Sequence, residues 1–366
     1  MPTSTRRILT TLGSDNTITV EVAGHELPDP TGHQVVVRVE AAPINPSDLG
    51  LLMPGADLEN ARYSPGKIVA EMPPGSVKRM ANRVGDALPA GNEGAGIIIA
   101  AGEEAQAMLG KKVACVTGEM FATHVIADAR MCMPLGDDVT PEQGASAFVN
   151  PMTALGFVET ARREGHKAII HSAAASNLGQ MLNKICQEDG FEIVNIVRKQ
   201  EQVDLLKGIG AKHVVNSSDD DFMKQLMSAI EETGAYIGFD PIYGGTMVND
   251  VFTAMEAVAS ATQEYSRYGS TQQKRMYVYG VLNVAPMTLM PGYGFAWDLS
   301  GWLLTPFLAS AGQEKIRQMQ ERVLNNITTT FASSYKARVN LDEMLTKQAA
   351  QDYDAKATGE KYLVVP

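Results

Sequence analysis

The stretch most able to do chemistry runs from Lys167 to Gln180. Lys167-Ala168-Ile169-Ile170-His171 reads as a strand, and Ser172-Ala173-Ala174-Ala175-Ser176-Asn177-Leu178-Gly179-Gln180 as a turn of small residues opening a helix with Met181, Leu182 and Ile185. Small residues let the backbone approach a pyrophosphate, which the N–H groups and dipole at the helix start can hold. In the G-x-G-x-x-G register only Gly179 is glycine, with Ala174 and Ser176 in the other two places. Ser176, Asn177, Leu178 and Gly179 are therefore the candidate phosphate contacts. The plainer alternative is a tight strand-to-helix turn such as any α/β protein uses. The next strand, Glu192 to Val197, ends in Arg198-Lys199, at about the 20-residue distance where NAD enzymes place an acidic residue on the ribose 2′-OH. Two cations there can grip a 2′-phosphate, which favours NADP(H) over NAD(H); otherwise they are a solvated basic helix start.

The elements that would position this turn follow a clear pattern. From Ala168 to Leu282, strands alternate with 10 to 15 residues of helical pattern, the mark of βαβ units in a doubly wound parallel sheet. Before it, from Thr17 to about Ala127, short strands are broken by Pro and Gly, as in Gln34 to Glu40, Gly96 to Ala101, Lys112 to Val116 and His124 to Ala127, and suggest a small barrel. Leu52 to Val84 reads as long loops, and the polar insertion Glu264 to Lys274 as a segment without a readable purpose. A long helix is expected near Gln313 to Asn326. The closing strand Lys361 to Val365 is expected to return to the first domain. The domains are thus placed at 1–143 with 313–366, and at 144–312.

Composition narrows the partners. With 366 residues, 45% hydrophobic and 20% charged, the chain is long enough for about two globular cores. A formal charge of -11 argues against nucleic acid and anionic membrane surfaces, and no apolar run approaches the ~18 residues a spanning helix needs. Cys115, Cys132 and Cys186 are too few and too scattered for a disulfide framework or a thiolate zinc site, and the amino end is too short in apolar residues for a signal peptide, so a cytoplasmic protein is expected.

Several further stretches occur in a recognisable order: Asn45-Pro46-Ser47-Asp48, Gly91-Asn92-Glu93-Gly94-Ala95-Gly96, Pro151-Met152-Thr153-Ala154, Gly210-Ala211, Tyr279-Gly280 and Thr358-Gly359-Glu360-Lys361. Together with the Ser172–Gln180 turn they resemble the medium-chain dehydrogenase/reductase superfamily, in particular its zinc-independent quinone oxidoreductase and 2-enoyl thioester reductase branches. The resemblance spans nearly the whole chain. It implies an α/β protein with a GroES-like β-rich catalytic domain plus a Rossmann domain, commonly a homodimer.

The zinc-dependent branch has a ligand Cys where this chain has Asn45 and a ligand His where it has Asn92; amides are poor zinc ligands, so no metal is expected. Glu93 remains as a possible ligand, but a lone carboxylate inside Gly-x-Glu-x-x-Gly reads more readily as a structural hydrogen-bond acceptor. Without a Lewis acid, hydride delivery suits a conjugated acceptor, whose charge spreads into an enolate or phenolate that a few hydrogen bonds can stabilise. The resemblance places Asn45 beside nicotinamide and substrate, and Thr153 near the cofactor phosphates. It sets Asp240, Ile242, Tyr279 and Val281 against the nicotinamide ring and makes Lys361 a cofactor contact. Tyr63 is the candidate proton donor of an enoyl thioester reductase, or else a loop tyrosine packed on a neighbour. Phe295 and Trp297 could wall the acceptor pocket or form a subunit contact. The expected activity is therefore an NADPH-dependent, zinc-independent reduction of a small-molecule quinone or activated alkene. A non-catalytic NADPH-binding structural or sensor protein is the alternative of another class.

Overall fold

The computed structural model describes residues 3–356, 358–359 and 361–366. Glu360, which interrupts the Gly-Lys pair, lies outside the described residues. The chain divides into two compact units, Met1–Val149 with Gln320–Pro366, and Asn150–Met319.

The first unit is built from two mainly antiparallel sheets. One orders its strands Arg62–Ser64, Lys67–Glu71, Thr17–Leu27, Thr3–Leu12 and Ala87–Pro89. The other runs Met133–Pro134, Lys112–Val116, Glu93–Ala101, Gln34–Pro43, Tyr362–Val364 and Ala337–Val339, with His124–Asp128 also paired to Gln34–Pro43. Alternation sets the inward face of Thr3–Leu12, where Ile8, Thr10 and Leu12 are buried and their neighbours are not. Tyr362–Val364 pairs antiparallel with Gln34–Pro43, so the carboxyl end does return to the unit that holds the amino end.

The stretch expected to be long loops, Leu52 to Val84, holds more structure than that. Arg62–Ser64 and Lys67–Glu71 form a hairpin turned at Gly66, whose φ is +67°, and this hairpin extends the first sheet along Thr17–Leu27. Its strands have only three and five residues, and only Ile68 and Ala70 are buried between them. That run is too short for a period of two to stand out in the sequence.

In the second unit six strands form one parallel sheet, in the order His213–Asn216, Glu192–Val197, Ala168–His171, Ile237–Asp240, Lys274–Val278 and Trp297–Gly301. The sheet winds outward in both directions from Ala168–His171, the doubly wound order that binds dinucleotides where the winding reverses. Helices cover it, and its inner strands are correspondingly mostly apolar and buried, with His171, Asn195 and Asp240 as buried polar exceptions. The reversal falls between Ala168–His171 and Ile237–Asp240, and the carboxyl ends of these two strands carry Ser172 and Asp240.

The polar insertion Glu264 to Lys274 ends on an anchor: Lys274 is fully buried, and its Nζ donates to Glu256 Oε2 (2.7 Å), Ser270 Oγ (3.2 Å) and Gln272 O (2.9 Å), which clamps the segment onto the helix Met247–Ala261. Trp297 opens the edge strand. Its ring packs on Phe252 and Tyr293, while Phe295 stays 80% exposed against Tyr268. The fold draws these two aromatics into different surroundings.

Candidate functional site

In the second unit the turn after Ala168–His171 is shaped by main chain. Ala173 takes a positive φ of 51°. A Cβ on Gly179 would lie 2.2 Å from Ala174 O, closer than any side chain tolerates, so only glycine lets the helix Asn177–Asp189 start this near the turn. Ser176 caps that helix, its Oγ accepting from Gly179 N at 3.1 Å. The result is a small-residue cradle at a helix start, the arrangement that accepts anions.

Its neighbours are fixed in turn. The Ser172 hydroxyl donates a short hydrogen bond to buried Asp240, and Asp240 Oδ2 accepts from Tyr243 N at 2.7 Å. Burial raises the Asp240 pKa, and the Ser172 bond works against that rise. Tyr279 N donates to Asp240 O (3.0 Å) and Asn283 N to Ile242 O (2.9 Å), so Asp240, Ile242, Tyr279 and Val281 lie on two segments bonded side by side. The Tyr279 phenol, however, meets His171 Nε2 at 2.7 Å, and its ring packs on Phe157 and His171. Burial holds His171 neutral, its pKa lowered to about 3. Thr153 is buried on the helix Val149–Arg163.

At the end of the adjacent strand, Arg198 is held through its main chain: its N donates to Gln202 Oε1 (3.1 Å), and its O accepts from Ser218 Oγ (2.9 Å). The side chains of Arg198 and Lys199 are exposed. Among the described residues neither side chain is drawn into an ion pair.

The first unit holds a different device. Asn45 stands just before the helix Pro46–Leu52 and is 2% exposed. Its Nδ2 donates to Glu93 Oε1 at 2.9 Å, and Glu93 Oε2 accepts from Phe148 N (3.0 Å) and Val149 N (2.8 Å). Glu93 is thus the structural acceptor that its glycine-flanked position suggests. Asp48, also 2% exposed, accepts from Asn45 N (2.8 Å) and from Asn92 N (2.7 Å). Burial dominates over those bonds and pushes its pKa up to about 7. Lys361 Nζ donates to Ser146 Oγ (2.8 Å), which also meets Tyr335 Oη (2.9 Å). Burial lowers the Lys361 pKa to about 8, opposed by Glu93 and Asp48.

One atom in this cluster is left over. Asn45 Oδ1 is buried; it faces Asp48 N at the start of the helix but completes no hydrogen bond of good geometry among the described residues. Buried polar atoms are nearly always satisfied, so this oxygen is the natural acceptor for a group brought in by a ligand. The donor set suits metal poorly, since the Asn45 amide nitrogen faces Glu93 and that of Asn92 faces Ser47 Oγ at 3.0 Å.

Tyr63, in the hairpin strand Arg62–Ser64, is half-buried, and its hydroxyl donates to Leu58 O at 2.7 Å rather than to this cluster. Burial, then Glu59 and Asp354, raise its pKa. Sequence reasoning missed Asp48, Ser146 and Tyr335 as members of the buried cluster, and Ser172 and His171 as supports of the cradle. The only signal for Asp48 was its place in Asn45-Pro46-Ser47-Asp48; Ser146 and Tyr335 gave none.

No protein-family model matches the chain. It is 32% identical over 162 residues to squalestatin hexaketide synthase of Phoma sp., covering 42% of this chain and 6% of that protein. It is 27% identical over 208 residues to the mitochondrial enoyl-[acyl-carrier-protein] reductase of Bos taurus, covering 55% of this chain and 49% of the relative. The chain thus spans at most about half the length of these curated relatives. A Mesorhizobium loti protein assigned as an NADPH:quinone reductase has a TM-score of 0.76 and 25% identity, covering 100% of this chain and 99% of the other. The chain therefore has the two-domain α/β fold of the medium-chain dehydrogenase/reductase superfamily, and its structural neighbours are NADPH:quinone reductases and enoyl thioester reductases.

Proposed function

We propose that the protein is an NADPH-dependent, zinc-independent oxidoreductase that delivers hydride to a small conjugated acceptor, a quinone or an activated alkene. The observation that carries this reading is the pairing of a glycine-only cradle at Gly179 with two exposed cations, Arg198 and Lys199, at the end of the adjacent strand. A pyrophosphate suits the cradle, and a 2′-phosphate suits the cations. When bound, the nicotinamide would supply the hydride. The names of the relatives, a quinone reductase and an enoyl reductase, point to the same acceptor class.

The chain's own residues then have definite tasks. Ser176, Asn177, Leu178 and Gly179 would receive the pyrophosphate, with Thr153 beside it. Asp240, Ile242, Tyr279 and Val281 would border the nicotinamide, Tyr279 through its main chain, since its phenol is occupied by His171. Asn45 would offer Oδ1 to a ligand N–H or O–H, and Glu93 keeps its amide turned that way. Lys361 would act through the buried cluster, because Ser146 already takes its Nζ. Phe295 is open enough to meet an acceptor, whereas Trp297 would contribute as support under the edge strand.

The test is NADPH oxidation with 9,10-phenanthrenequinone, 1,4-benzoquinone, simple enones and a crotonyl thioester, with NADH as control. Turnover with at least one conjugated acceptor and preference for NADPH are expected. NADPH binding without oxidation by any of them would favour the structural or sensor reading. Similarity to enoyl-[acyl-carrier-protein] reductase favours one narrower reading, thioester reduction with Tyr63 as proton donor. For that role Tyr63 must release Leu58 O, and Tyr63→Phe should abolish thioester reduction while sparing quinone reduction. We also propose a homodimer in a reducing cytoplasm. Among the described residues the edge strand Trp297–Gly301 pairs on one side only, with Lys274–Val278, and no disulfide is present. No helix among the described residues is long and apolar enough to cross a membrane.

A further inference from the structure

Two of the three cysteines, remote in the reading of the sequence, are set face to face by sheet register. Strands Lys112–Val116 and Met133–Pro134 are antiparallel, with Met133 opposite Ala114 and Pro134 opposite Val113. Continuing that register by one residue puts Cys132 directly opposite Cys115. Leu135 N bonds to Lys112 O at 2.9 Å, so Leu135 and Lys112 are a hydrogen-bonded pair. Pair types alternate along an antiparallel ladder, which makes Met133/Ala114 of the same type and Cys132/Cys115 of the other. In that other type the Cα atoms are only about 4.5 Å apart and the side chains, on one face of the sheet, are at their closest. A disulfide accepts Cα separations of roughly 4.4–6.8 Å.

The thiols are also unequal. Cys115 is 2% exposed and its thiol donates to Met120 Sδ at 3.7 Å. Cys132 is 8% exposed; it follows the surface turn Ala129–Met131, and its thiol reaches Asp128 O at 3.5 Å. The contact between the two thiols raises Cys115, with burial adding to the rise, and lowers Cys132. Cys132 is thus the more acidic and more accessible member, and Cys115 the sheltered one that stays protonated.

We infer that Cys115 and Cys132 form a thiol-oxidation site, in which Cys132 reacts with a small peroxide and Cys115 then closes a cross-strand disulfide. The Cys132 thiol gives its proton to solvent and the thiolate attacks one peroxide oxygen; the O–O bond breaks, giving a sulfenic acid on Cys132 and hydroxide, which takes up that proton as water. The Cys115 sulfur then attacks the Cys132 sulfur, the S–O bond breaks, and the Cys115 proton leaves with the hydroxyl as water. Overall two thiols are oxidised and one peroxide is reduced to two waters. This site is separate from hydride transfer, although Cys115 also pairs with Gly94, the residue after Glu93.

The experiment exposes the folded full-length protein to hydrogen peroxide, blocks remaining thiols with N-ethylmaleimide and maps disulfides by mass spectrometry without reduction. The expected result is a Cys115–Cys132 crosslinked peptide, an intact mass lower by two hydrogens, reversal by dithiothreitol, and Cys186 left as thiol. Cys115→Ser should stop the reaction at a dimedone-reactive sulfenic acid on Cys132. Absence of the crosslink in folded wild-type protein overturns the inference, as does crosslinking that involves Cys186 equally, or over-oxidation of Cys132 with Cys115 untouched. The wild-type measurement stands whether or not the serine variant folds.

Discussion

The two polar regions of this molecule solve opposite problems. The cradle in the second unit is made of main chain and of residues with little side chain to speak of: Ser172 to Gly179 bring N–H groups, a helix start and space. The cluster in the first unit is made of polar side chains: buried Asn45, Asp48, Glu93 and Ser146, and partly buried Lys361. A main-chain cradle costs no desolvation of charge and binds an anion that carries its own. The side-chain cluster holds charged groups away from water, and burial raises Asp48 to about 7 and lowers Lys361 to about 8, the latter against the pull of Glu93 and Asp48. The first device should be sensitive to volume, the second to charge.

Adding volume to the cradle should give the largest effect. Gly179→Val places carbon where Ala174 O already stands, and a local shift costing about 3 kcal/mol would weaken NADPH about 100-fold. Titration calorimetry checks this, and unchanged affinity would mean that the cradle is not the phosphate site. In the other region, Asn45→Ala removes the donor to Glu93 Oε1 and should lower stability by about 1–3 kcal/mol in urea unfolding. It should lower turnover while leaving the NADPH dissociation constant within about twofold, because small-residue truncation in one unit leaves the other's contacts intact. A parallel fall in NADPH affinity would erase the distinction between the two regions.

Acidity sharpens the comparison further. An Asp48 pKa raised by burial means that the folded state keeps a proton the unfolded chain has lost, so its contribution to stability is present below about pH 4 and disappears as pH rises toward 7. Asp48→Asn should therefore destabilise more at pH 4.5 than at pH 7.5, and a destabilisation that grows with pH would show that Asp48 is ionised when folded. The smallest effect expected is on quinone turnover in Tyr63→Phe, within about twofold, because the phenol is spent on Leu58 O and not on the buried cluster.

The same contrast explains what could be seen in advance. The cradle is contiguous: a strand, a run of small residues and a helix lie within Lys167 to Gln180, and their period and residue sizes are visible in one dimension. So were the parallel sheet, the return of the closing strand and the acceptor role of Glu93. The buried cluster joins Asn45 to Glu93 across 48 positions and Ser146 to Lys361 across 215, and nothing local in the sequence registers such a meeting. The hairpin at Gly66 was hidden by strands too short to show a period, and the burial of Lys274 by the polar residues around it. The Cys115/Cys132 juxtaposition is likewise a matter of register, set by the Lys112–Val116 and Met133–Pro134 pairing.

The account rests most heavily on Arg198 and Lys199 as the place where a 2′-phosphate is read. Calorimetric titration of NADPH and NADH into the wild-type protein and into Arg198→Glu tests this directly. Wild type should bind NADPH at least about tenfold more tightly than NADH, a charge-assisted contact being worth about 1.5–3 kcal/mol, and Arg198→Glu should remove that preference while changing NADH little. Equal affinities in wild type, or equal losses for both nucleotides in the variant, would contradict it.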